Sequence, residues 1–276
     1  VELRETSKNI VVLIASATAL TACAESQSEE MLLEYSRSAE QLYEEGMEEF
    51  DDEDCVDAEK VFQDVRRLYP YSRFAILAEL RVADCHFIQG NHAEAAVAYQ
   101  QFLKAHPTHE DAHYAAFKRG LSFYEMIPSD WVITPPPHER DQAATRDARS
   151  SLSHFIRTYP RSEHVERAEE TLALVVDALV QHEMYVAEFY LSRDQKNAAA
   201  VRLEVIPRKF PDSSLVPDAM FLQAKVYLEM DRPADATRVF REIIERFPDH
   251  HQALRARAYL EDLGVQPPDA DRGEDG

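Results

Sequence analysis

The chain has 276 residues, enough for one large core or two small ones. Six glycines and no sustained alternation of apolar and polar residues argue against a sheet. The formal net charge of −21, from 51 acidic and 30 basic side chains, argues against nucleic acid as a partner, because that binding is driven by Lys and Arg neutralising phosphates.

Residues 1–22 read as a lipoprotein signal peptide rather than as part of the fold. Arg4 and Lys8 form a short basic region, and Ile10 to Leu20 is an apolar run too short to span a bilayer. The run ends in Leu20-Thr21-Ala22-Cys23. This string resembles the bacterial lipobox, which implies lipidation of Cys23 as the mature N-terminus. The plainer alternative is a buried helix that ends at a chance Cys. Each buried CH₂ contributes ~0.8 kcal/mol, so several acyl chains hold a protein durably on a membrane. Ala24, where Asp could stand, favours the outer membrane by resemblance to enteric lipoproteins. Residues 23–30 form a polar, lipidated tether.

From residue 31 one frame recurs: a small residue, apolar residues four and seven positions on, and a proline twelve positions on. In the first repeat, about 31–70, it is Ala58, Phe62, Val65 and Pro70, with Gly46 and Glu49 on the preceding helix. The stretch from Glu44 to Glu59 carries carboxylates and no base. It is either a dock for a basic partner or a solvated helix end and turn. It lacks the Gly and ligand spacing of a calcium loop.

The second repeat, about 74–107, has Ala95, Tyr99, Phe102 and Pro107, preceded by Ala83 and His86, with its turn at Gly90-Asn91. Cys55 and Cys85 fall at helix ends that this geometry makes adjacent. An oxidising compartment would permit a disulfide, but spacing alone does not fix the separation, and two separate buried thiols are the plainer reading. His109-Glu110-Asp111-Ala112-His113 matches the HExxH zinc-protease pattern. Following Pro107-Thr108 it reads instead as a helix start, with Thr108 as N-cap and the acids near the positive end of the helix dipole.

The third repeat, about 113–160, offers Gly120 and Phe123, then Ala148, Leu152, Phe155 and Pro160, separated by an insertion at 127–142. The insertion carries Trp131 and Pro135-Pro136-Pro137, which favour an extended, stiff loop. Trp131 is an anchor for a partner or a plug against its own repeat. The fourth repeat, about 162–211, opens with a long helix capped by Ser162 and reaching about Ser192. Ala187, Tyr190, Ala199, Leu203, Ile206 and Pro211 follow the frame, and Pro207 is expected to shorten the second helix. The fifth, about 214–248, has Ala224, Tyr227, Ala236, Phe240, Ile243 and Pro248, then a terminal helix to 263. Residues 264–276 read as a disordered tail.

Offsets of 0, 4 and 7 put three apolar side chains on one helical face, and proline cannot sit in a helix interior. The pattern resembles the tetratricopeptide repeat, two antiparallel helices with small residues where they cross. The fold expected is all-α: a tetratricopeptide-type helical-repeat solenoid of five helix pairs over residues 31–263.

Local strings carry a more specific resemblance. These are His106-Pro107-Thr108-His109, Arg119 to Leu121, Glu139 to Asp141, Arg157 to Ser162 and Val186 to Tyr190. Together with the LTAC string, the inserted third repeat and the long helix, they resemble the BamD family, lipoproteins of the outer-membrane β-barrel assembly machine, over about residues 15–262. The insertion, Pro207 and the acidic turn depart from that family. The resemblance implies a non-enzymatic scaffold without cofactor or metal, lipid-anchored on the periplasmic face of the outer membrane. It further implies binding to the periplasmic domains of a BamA-like barrel protein, to other lipoproteins of the machine and to unfolded outer-membrane proteins. Candidate partner-binding residues are Arg202, Glu188, Tyr190 and Trp131. Arg202 precedes the core position Leu203, so it is expected off the packed face. Arg202-Leu203-Glu204 matches an Arg-x-Glu string of the family in which the Arg is implicated in BamA binding, and the alternative is an Arg paired within its own helix. Two other classes stand beside this reading: a periplasmic repeat lipoprotein of envelope division or polysaccharide export, and a zinc protease with attached repeats.

Overall fold

The frame of small, apolar and proline residues determines where each helix packs and where it ends. A computed structural model describes residues 31–128 and 136–268; Cys23, Trp131 and the far end of the tail lie outside the described residues. These residues form two compact units, one ending at Pro107 and one beginning at Thr108. The first unit holds α1 (helical across 31–51), α2 (Cys55–Leu68), α3 (Arg73–Ile88) and α4 (His92–Ala105). The second holds α5 (Ala112–Glu125), a 3₁₀ turn at Pro137–Glu139, α6 (Ala143–Thr158), α7 (Val165–Leu191), α8 (Lys196–Lys209), α9 (Val216–Glu229), α10 (Pro233–Arg246) and α11 (His251–Asp262). Among the described residues there is no strand. Within each unit, α2 packs on α3 and α3 on α4, and the chain from α5 to α11 packs helix against next helix in the same way.

The frame forms the core. Ala58, Phe62 and Val65; Ala95, Tyr99 and Phe102; Ala148, Leu152 and Phe155; Ala199, Leu203 and Ile206; and Ala236, Phe240 and Ile243 are all 0% exposed. The small residue of the preceding helix faces the apolar residue at offset four. A Cβ on Gly46 would lie 2.7 Å from the Phe62 ring, and one on Gly120 would lie 2.6 Å from Leu152 Cδ2. At these two crossings glycine leaves the room that the Phe62 and Leu152 side chains occupy, which a Cβ would force to shift.

The prolines act just outside the helices. Tyr69, His106, Tyr159, Phe210 and Phe247 are the C-caps of α2, α4, α6, α8 and α10, with ψ between 53° and 57°. Each donates its N–H at 2.8–2.9 Å to the carbonyl of the residue at offset seven: Val65, Phe102, Phe155, Ile206 or Ile243. The next residue is Pro70, Pro107, Pro160, Pro211 or Pro248. A residue before proline is pushed out of the α region, so the proline enforces the cap conformation that ends each helix.

The turn inside four of the pairs is equally regular. Glu53, Gly90, Asp194 and Asp231 have φ of 61°, 78°, 57° and 55°. The next N–H, from Asp54, Asn91, Gln195 or Arg232, bonds back at 2.9 Å to the carbonyl of Glu49, His86, Tyr190 or Tyr227. This is a Schellman closure, which wants glycine at the left-handed position. Only Gly90 supplies it. We therefore expect Asp231→Gly to raise stability by about 0.5–1 kcal/mol. Thermal unfolding followed by circular dichroism checks this, and a lower melting temperature would contradict it.

Several expectations need correction. Pro207 does not shorten its helix: α8 has 14 residues, as do α2, α4 and α10. Pro207 sits in the last turn, where it removes one bond, while the Phe210 N–H still caps onto Ile206. Ser162 is not the N-cap of α7, which starts at Val165 behind His164; the Ser162 carbonyl accepts from the Val165 N–H in a preceding turn. At 27 residues α7 is about 40 Å long. Thr108 is not the N-cap of α5 either; Asp111 holds that position, and the Asp111 N–H donates to His109 Nδ1 at 3.1 Å. His109 therefore lies in a turn ahead of the helix that carries His113, and the HExxH string does not present two His on one helical face. The end of the insertion is not wholly extended, since Pro137 opens the 3₁₀ turn. Ordered packing also passes residue 263: Gly264, at φ 69°, closes the end of α11, the Val265 N–H bonds to the Leu260 carbonyl, and Val265 packs against the core.

In the acidic stretch of the first unit, Asp54 has a structural task. Its carboxylate accepts from the Val56 and Asp57 N–H groups and caps α2.

Candidate functional site: a basic groove on α6, α7 and α8

Helical spacing assembles the site. On α6, Arg146, Arg149, Ser153 and Arg157 recur every three or four residues, so they share one face. On α7, His182 and Glu183 stand three and four residues beyond Leu179, on the same side of the helix. Arg202 and Lys209 stand two turns apart on α8. Together these side chains line a groove of about 570 Å³ floored by Phe210, the buried C-cap of α8. Five cationic side chains and one carboxylate, Glu183, face it. In a chain of net charge −21, this local reversal of sign is the feature that needs a function.

The groove is held by packing and by shared acceptors. The Arg149 guanidinium donates to the Lys209 carbonyl at 3.1 Å and lies 4.9 Å from the centre of the Phe210 ring. It thus satisfies one of the carbonyls left open at the end of α8. Lys209 Nζ lies 5.1 Å from the same ring. Glu183, 14% exposed, accepts from Arg202 Nη1 at 3.1 Å and pairs with Lys209 at 3.8 Å. Arg146 pairs with Asp141 at 3.5 Å. At the mouth, His182 Nδ1 donates to the His138 carbonyl at 2.6 Å, and the His138 and Tyr185 rings lie 5.3 Å apart. The 3₁₀ turn that ends the insertion is thereby fixed on α7.

Arg202 is exposed, as its place beside Leu203 implied, but its partner is on the neighbouring helix, not on its own. Its side chain is 47% exposed, so the guanidinium keeps donors available to an incoming carboxylate. Glu188 and Tyr190 do not line the groove. Glu188 is exposed one turn further along α7, and Tyr190 is half-buried against the core beside the α7–α8 turn. Arg146, Arg149, Arg157, Lys209 and Glu183 were not among the candidates drawn from the sequence. The signal was present in the cations at positions 146, 149 and 157 on one helical face.

Such a groove can bind a carboxylate-bearing segment. Guanidinium forks engage carboxylates through two parallel bonds, and the Phe210 floor excludes water beneath them. Among the described residues no cluster of three or more His, Cys, Asp or Glu could hold a metal ion.

Closely crossed helix pairs, capped and stopped by one repeating frame, define a tetratricopeptide-type helical-repeat protein, and a tetratricopeptide repeat model matches residues 221–270. The YfiO outer membrane lipoprotein model matches residues 36–239, and the chain belongs to that family. It is 27% identical over 256 residues to outer membrane protein assembly factor BamD of Caulobacter vibrioides, covering 93% of this chain and 81% of that one. It is likewise 27% identical over 251 residues to the Neisseria gonorrhoeae protein of the same name, covering 87% and 92%.

Proposed function

We propose that this chain is a non-enzymatic scaffold of the outer-membrane β-barrel assembly machinery. The observation that carries the reading is the family match across residues 36–239, together with relatives named as assembly factors along most of their length. The scaffold docks the periplasmic domains of a BamA-like barrel protein and helps receive unfolded outer-membrane proteins, alongside other lipoproteins of the machine. The basic groove supports the docking role, because it offers a rigid, positively charged surface to an acidic partner segment. Arg202 is the principal contact in this reading. Glu188 flanks the groove along α7, and Trp131 on the insertion is a second anchor.

Anchoring follows from the LTAC string. The purified protein is expected to begin at an acylated Cys23, with no residue before it. Intact mass spectrometry checks this; an unmodified Cys23, or a chain that retains residues ahead of Cys23, would contradict it. Negative charge disfavours lying flat on anionic lipid, so the tether holds the scaffold near the membrane rather than on it.

Depletion in the source bacterium tests the function. Outer-membrane β-barrel proteins are expected to fall in abundance together while lipoproteins unrelated to barrels keep theirs. Unchanged barrel levels after depletion would contradict the reading.

A further inference from the structure

Two cysteines of the first unit, both buried free thiols in this structure, lie in one core cluster. Cys55 is the first residue of α2, and Cys85 lies in the last turn of α3. Packing of α2 on α3 brings these two ends side by side in one core cluster with Ala58, Phe62 and Val82. Cys55 is 3% exposed and Cys85 is fully buried, and Cys55 is among the neighbours close enough to bear on the Cys85 thiol. They belong to helices consecutive in the chain, so the hairpin that joins them brings them together as it forms.

We propose that Cys55 and Cys85 are joined by a disulfide in the protein at the outer membrane, closing residues 56–84 into a covalent loop across the α2–α3 hairpin. The proposal rests on the periplasmic location argued above, because that compartment is oxidising. The oxidant is a protein disulfide of the thiol-oxidoreductase class. One cysteine thiolate attacks a sulfur of that disulfide and releases the other sulfur as a thiolate, which takes up a proton. The second thiolate then attacks the mixed disulfide at the cysteine sulfur of this chain and displaces the oxidant's remaining sulfur, which is protonated in turn. One S–S bond forms, two S–H bonds are lost, and the oxidant's disulfide is reduced to two thiols.

The surroundings fix the order of events. Burial, the neighbouring Cys55 and the Asp84 and Glu59 carboxylates push the Cys85 thiol well above the ordinary thiol range. In the folded, reduced protein Cys85 is therefore a poor nucleophile, shut away from an enzyme. Exchange belongs to the stage when the hairpin has formed but the core has not closed. Once closed, the same burial shields the bond from reductants.

The test uses the full-length protein in cells. Cells are quenched in acid, free thiols are blocked under denaturing conditions, and the digest is mapped by mass spectrometry with and without prior reduction. We expect a linked pair of peptides carrying Cys55 and Cys85, lost on reduction, with neither thiol blocked beforehand. Recovery of both peptides blocked without reduction would overturn the proposal. In Cys55→Ser, Cys85 is expected to be blocked without reduction; a Cys85 still protected there would show that its partner is another thiol, and would also overturn it. Because the parent protein alone gives a decisive map, a variant that fails to fold does not remove the test. Barrel protein co-purifying from the same cells is scored separately: reduced cysteines beside a bound barrel protein sink only the disulfide, and an oxidised pair without one sinks only the assembly role.

Discussion

Phe240→Ala is expected to cost about 3–5 kcal/mol, the range for truncating a large buried aromatic. Phe240 is 0% exposed and occupies offset four of the last full frame, where it meets the Phe221 ring at 5.6 Å and the Tyr259 ring at 5.2 Å. Those neighbours lie on α9 and α11, so the ring joins three helices at one point. Truncation leaves a cavity that helices held by their caps cannot collapse to fill. For a unit of this size the melting temperature should fall by roughly 10 °C. Val201→Ala is the control, since Val201 is 62% exposed on α8 and a surface change of that kind stays within about 0.5 kcal/mol. Calorimetry on the purified protein checks both. Equal effects at Phe240 and Val201 would mean that the frame is not the core.

Arg202→Glu is expected to weaken binding to the periplasmic domains of the barrel protein by about 2–5 kcal/mol, or roughly 30- to several-thousand-fold in Kd. The substitution places a carboxylate beside Glu183 and leaves four cations facing two carboxylates in the groove. Folding should be nearly untouched, because a pair with one side chain 47% exposed contributes no more than about 1 kcal/mol. Arg238→Glu, a reversal at an exposed site on α10, is the control. Titration calorimetry gives the affinities and circular dichroism the fold. A folded Arg202→Glu variant that binds as tightly as the parent would remove Arg202 from the interface.

The core was legible because its signal is a period. Ala, an apolar residue and a second apolar residue at offsets 0, 4 and 7 can bury themselves only on a helix, and the proline beyond shows where that helix must stop. The turns were less legible. Glu53, Asp194 and Asp231 occupy the left-handed position that Gly90 occupies openly, and an acidic residue does not announce that backbone geometry. Local capping rules also misplaced two helix starts. Thr108 and Ser162 are good caps by residue type, yet turns closed by the His109 and Ser162 carbonyls come first, and α5 and α7 begin three or four residues later. Packing overrode local preference at Pro207, where a buried face and an intact cap carry the helix past the ring.

The site was legible in part. Arg202 could be placed off the packed face from its position beside Leu203, but its partner Glu183 lies 19 residues earlier on another helix, beyond the reach of local spacing. The same holds for the groove, which exists only once α6, α7 and α8 pack together. Tyr190 illustrates the opposite case. It stood both at a packing position of the repeat and among the partner-binding candidates, and it packs against the core.

The measurement that reaches furthest is the set of proteins retained when the tagged, full-length chain is purified from detergent-solubilised outer membranes. A barrel protein with periplasmic domains is expected in amounts comparable to the chain itself, and is expected to be lost when Arg202→Glu is purified in the same way. A preparation that retains no such barrel protein, or that carries instead components of septation or polysaccharide export, would contradict a role in outer-membrane protein assembly.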